Sequence, residues 1–83
     1  MKLCVFTVYD SKADCYLQPI YFKSKGEAIR SFSDECNRSE SQMNVHAEDF
    51  TLFQLGEFDD SNASFDLLVT PVAIGKAIEF IKS

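Results

Sequence analysis

The sequence predicts an α+β domain in which a strand-strand-helix unit occurs twice, ββαββα, building a four-stranded, mainly antiparallel sheet with two helices packed on one face. Three observations carry this expectation. Two pairs of β-rich segments are each divided by Asp, Ser and Asn turn residues. A capped helical repeat follows each pair. A shift of 49 positions also superposes the halves, with Leu3 on Leu52, Tyr9 on Phe58, Asp10 on Asp59, Tyr16 on Phe65 and Ala28-Ile29 on Ala77-Ile78. The chain therefore reads as a single domain over 1–83, with pseudo-repeat halves of about 1–36 and 50–83 joined by a polar loop over 37–49. Shared binary patterning can produce the same alignment without a true repeat.

The first element is the apolar run from Leu3 to Tyr9, ended by Asp10. It is too short for a signal peptide or a membrane span, and it reads as a strand. Asp10-Ser11-Lys12-Ala13-Asp14 supplies the turn, and Cys15 to Phe22 forms the return strand, where Pro19 lacks a ladder donor and points to an edge or a bulge. Ser24 then stands three residues before Glu27, the capping-box spacing. Ala28, Ile29, Phe32 and Cys36 recur at helical intervals, predicting a helix over about Lys25 to Cys36. Phe50 to Leu55 and Phe65 to Val69 form a second hairpin around the Gly56 to Ala63 turn chemistry. Thr70-Pro71 reads as an N-cap and first helical position, with Ile74, Ala77, Ile78 and Ile81 at i, i+3, i+4 and i+7 as the second helix.

Composition narrows the function classes. Thirteen acidic against eight basic residues give a net charge of -5, which argues against holding nucleic acid by bulk charge. The three cysteines Cys4, Cys15 and Cys36 cannot complete a disulfide framework, and a reducing cytoplasm is the simpler setting. No glycine-rich phosphate loop, HExxH or CxxC signature occurs, so no cofactor and no metal is expected. Cys36 and His46 read as a helix-face thiol and a surface or capping imidazole. Asp60 to Pro71 fails as a calcium loop, because Phe65 stands where Gly is needed and Pro71 where Glu is needed. Glu57, Asp59 and Asp66 read as solvated acids, and the chain reads as a non-enzyme.

For nucleic acid the candidate contacts are Lys12 at the first turn, Lys23, Lys25 and Arg30 around the helix start, and Arg38 beyond its end. Tyr21, with Tyr9 and Tyr16, could stack on single-stranded bases. The first strand carries apolar groups on both faces, Leu3, Val5 and Tyr9 against Cys4, Phe6 and Val8, so a homodimer is expected to cover the face the helices leave open.

The segments Tyr9-Asp10-Ser11-Lys12-Ala13, Lys25-Gly26-Glu27-Ala28-Ile29-Arg30, His46-Ala47-Glu48-Asp49-Phe50, Leu55-Gly56-Glu57-Phe58-Asp59-Asp60 and Ala77-Ile78-Glu79-Phe80 together resemble one family. It is the small nonstructural protein of gokushoviruses, tailless single-stranded DNA phages of the Microviridae. The resemblance runs in order over nearly the whole chain, with His46-Ala47 standing where many members carry His-Pro. It implies a nonstructural, DNA-binding protein of the host bacterial cytoplasm that acts on single-stranded DNA in genome replication or packaging. It transfers no catalytic residue. The alternative it leaves open is a dimeric adaptor for a phage replication or capsid protein with no direct DNA contact.

Overall fold

The computed structural model describes residues 1–82. Its strands are β1 (Lys2–Asp10), β2 (Cys15–Tyr16), β3 (Ile20–Phe22), β4 (Phe50–Asp59) and β5 (Ser64–Lys76). Between β3 and β4 lie helix α1 (Lys25–Cys36) and the one-turn helix α2 (Gln42–Val45), and a 3-10 turn (Ala77–Phe80) follows β5.

The architecture corrects the ββαββα expectation. The sheet has five strands, all pairings antiparallel, in the order β2-β1-β4-β5 with β3 also on β1, and it curls into a half-barrel. The expected return strand from Cys15 to Phe22 is split at Leu17 to Pro19, where the Thr7 hydroxyl donates to the Leu17 carbonyl at 2.7 Å and Leu17 N–H donates to the Val8 carbonyl at 2.8 Å. Pro19 sits in that break at the sheet edge, where its missing N–H costs nothing.

The expected second helix is instead strand. Ser64–Lys76 is continuous β5, and only Ala77–Phe80 coils, its first turn closed by Lys76 N–H donating to a Glu79 carboxylate oxygen at 2.7 Å. Thr70-Pro71 is not a helix start. Register runs from Gln54 opposite Val72 directly to Gly56 opposite Leu67, so Leu55 alone faces the four-residue excursion Leu68 to Pro71. An edge bulge accommodates Pro71 just as a first helical turn would.

The first helix forms as expected. Ser24 Oγ accepts from Glu27 N–H at 3.2 Å, and Ala28, Phe32 and Cys36 place one buried stripe on the sheet. The core lies on that side: Phe6 and Val8 of β1 and Phe50 and Leu52 of β4 pack against the stripe, with Ala47 and Ala77 closing the ends. Each fully buried large apolar side chain there contributes about 1.5–3 kcal/mol. Alternation along β1 sends Leu3, Val5, Thr7 and Tyr9 to the opposite, helix-free face.

Candidate functional site

Residues directly opposite one another in an antiparallel sheet share a face, so the register gives the rows of the helix-free side. From one end these are Tyr16-Tyr9-Thr51-Lys76, Thr7-Phe53-Ala73, Tyr21-Val5-Gly56-Leu67 and Leu3-Phe58-Phe65. Six aromatic rings fall on this side, in two clusters. In the first, the Tyr9 and Tyr16 centroids are 4.8 Å apart, with Phe53 at 5.7 Å from Tyr16 and 6.4 Å from Tyr9. In the second, Phe58 lies 5.8 Å from Tyr21 and 4.8 Å from Phe65. Small and aliphatic residues separate the clusters by roughly 13–20 Å along β1, at about 3.3 Å per residue.

The chain partly covers this face by itself. Val5 and Thr7 are buried beneath the rings, whereas Tyr16 at 51%, Tyr21 at 43% and Phe65 at 54% remain open to solvent. The rows contain no carboxylate. The far end of the sheet sends its acids to the other side, in the rows Lys2-Asp59-Ser64 and Cys4-Glu57-Asp66. Asp14 reaches the rim, where its carboxylate accepts from the Tyr9 hydroxyl and raises that phenol above its ordinary range. Glu57, Asp59 and Asp66 therefore lie on the side of the sheet away from the aromatic rows.

The structure divides the six residues that the sequence proposes for nucleic acid. Tyr21 belongs to the second aromatic cluster, and Lys23 follows it by two residues, its N–H donating to Glu27 Oε2 at 3.4 Å. Lys25 and Arg30 are exposed on α1, in the layer across the sheet from the rings. Lys12 is in the β1–β2 turn, beside His46 and Asp49 in an open hollow of about 470 Å³. Arg38 is already engaged, 2.9 Å from Glu35 and 3.0 Å from Glu40. That pairing raises the guanidinium pKa. Glu35 is lowered first by its hydrogen bond with Ser41 and then by Arg38. Sequence reasoning did not single out Phe53, Phe58 and Phe65. For Phe65 the available signal was alternation, with Leu67 two residues on.

Among the described residues no group of three or more His, Cys, Asp or Glu side chains is placed to hold a metal ion. No helix there is long and apolar enough to cross a membrane.

The family described as Phage ORF5 protein matches residues 3–80. The chain belongs to that family. It is a phage protein, and the match takes in every row of the aromatic face. No curated protein and no solved structure matches the chain.

Proposed function

We propose that this member of the phage family is an accessory protein of a gokushovirus-type microvirus that binds single-stranded DNA in the host cytoplasm, during genome replication or packaging. The observation that carries the reading is the partly open sheet face whose paired rows hold two aromatic clusters and no carboxylate. Base stacking contributes about 1–3 kcal/mol per base and needs no sequence-specific contact. It also needs few cations, which suits a chain whose basic residues are scattered or paired. Lys76 shares the first aromatic row and Lys23 stands beyond the second cluster. The reading assigns no catalytic step.

Fluorescence anisotropy of a labelled single-stranded oligonucleotide, titrated at several salt concentrations beside a duplex control, tests this. We expect single-strand preference with a shallow salt slope of about -1 to -2, because only two or three phosphates meet a cation. Absence of single-strand binding even at low salt overturns it. A second reading, an adaptor for a phage replication or capsid protein, is favoured by the net charge of -5 and by the neutralised Arg38. It gains if the oligonucleotide stays free while the purified replication initiator or capsid protein binds.

A further inference from the structure

We propose that a second copy of this chain docks two-fold against the outer edge of β5, through Leu67, Leu68, Val69 and Val72. The contact rests on that edge and holds whether or not the chain binds nucleic acid, although Phe65 and Leu67 also border the aromatic face. β5 ends the strand order, with β4 on one side and no strand on the other among the described residues. Edge strands ordinarily carry charges that discourage pairing. Here Leu67 to Gly75 is an uninterrupted run of nine uncharged residues.

The excursion opposite Leu55 shapes this edge into a knob and a hollow. Val69 projects fully, at 102% exposure, and Leu67 is 61% exposed. Beside it, Leu55, Leu67, Leu68 and Pro71 line an apolar hollow of about 160 Å³, large enough for an isopropyl group. A two-fold operation sets each Val69 against the other copy's hollow, so that one self-complementary contact is made twice and the assembly closes. The exposed apolar side chains from Phe65 to Val72 offer on the order of 500 Å² per chain, so the pair would bury about 1,000 Å², the lower bound for a specific interface.

The occupant is a second copy because knob and hollow lie on the same short segment and no charge on it must be matched. With the axis perpendicular to the sheet, both aromatic faces point the same way and the two Phe65 rings approach across the seam. A dimer would therefore present one aromatic surface of doubled width.

Sedimentation of the protein without nucleic acid, over a wide concentration range, decides the matter. The expected mass is twice the 9.4 kDa of the chain, with association strengthened by salt as it screens two acidic bodies. Val69→Lys should sediment as a monomer with unchanged circular dichroism, since its side chain touches nothing within the chain. Val69→Ser should weaken association about tenfold. Val45→Lys, at another exposed valine, on α2 and away from this edge, should remain dimeric. A wild-type monomer at all concentrations overturns the proposal, as does a dimer indifferent to Val69→Lys. Species that lengthen with concentration also overturn it, because they would show a contact that does not close.

Discussion

The Asn37 carboxamide holds the end of the chain against α1, its Nδ2 donating to the Phe80 carbonyl at 2.9 Å across 43 positions of sequence. The same nitrogen donates to the Ser33 carbonyl at 2.7 Å, and Oδ1 accepts from Lys82 N–H at 2.8 Å. One side chain therefore caps the helix and fastens the segment after the 3-10 turn, where the Phe80 ring meets Phe32 edge-on at 5.4 Å. Asn37→Ala loses three hydrogen bonds worth about 0.5–1.5 kcal/mol each, less what water restores at this exposed site. We expect a loss of about 1–2 kcal/mol, a fall in Tm of roughly 5–15 °C. Asn37→Asp keeps the acceptor for Lys82 and should lie between. A thermal melt of Asn37→Ala that matches the wild type would show that the clamp contributes nothing.

Gly56 stands where β4 and β5 approach across the bulge. Its φ of +152° is closed to side-chain-bearing residues, and a Cβ built there would lie 2.3 Å from the Asp66 carbonyl oxygen and 2.7 Å from Leu67 Cα. Both obstacles are backbone, which cannot swing aside. Gly56→Ala should cost about 2–4 kcal/mol and lower the urea midpoint by more than about 1 M at unchanged m. An unchanged midpoint would mean that the register at this bulge differs from the one described.

The same bulges explain what could be read from the sequence. Helix α1 was legible to its ends, because the Ser24 cap, the apolar spacing at 28, 32 and 36, and the polar stretch after Asn37 all agree. The first strand was legible too, including its two apolar faces. The second helix was misread because Ile74, Ala77, Ile78 and Ile81 satisfy a helical period while Thr70-Pro71 imitates a helix start. Only tertiary pairing of Val72 and Ala73 with Gln54 and Phe53 selects the strand. The candidate site was half legible. Tyr21 could be named from the sequence, but Phe53, Phe58 and Phe65 join it through register, which one inserted residue at Leu55 changes.

The core beneath α1 makes a chemical prediction. Cys36 is fully buried and burial pushes its thiol up to about 11, whereas Cys15 is exposed in β2. At pH 8 about one part in a thousand of Cys36 would be thiolate, and reagent cannot reach it without opening of the helix-sheet contact. Iodoacetamide followed by peptide mass spectrometry should show Cys15 alkylated well before Cys36, with Cys36 catching up only in denaturant. Equal rates in the native protein would contradict the packing of α1 on Phe6 and Val8.

The aromatic face distinguishes stacking from charge as the source of single-strand affinity. Tyr16, Tyr21 and Phe65 are open enough that truncation removes little core, so each alanine variant should keep its fold. Each should weaken oligonucleotide binding about 5- to 100-fold, the value of roughly one stacked base, without altering the salt slope. Lys23→Glu should act differently, reducing the magnitude of the slope by about 0.7 while leaving high-salt affinity nearly unchanged. Arg38→Ala should do almost nothing, because Glu35 and Glu40 already neutralise that guanidinium. If the lysine variant abolishes binding and the three alanine variants bind normally, DNA is held at the start of α1 rather than on the sheet. The aromatic clusters would then serve only to cover Val5 and Thr7.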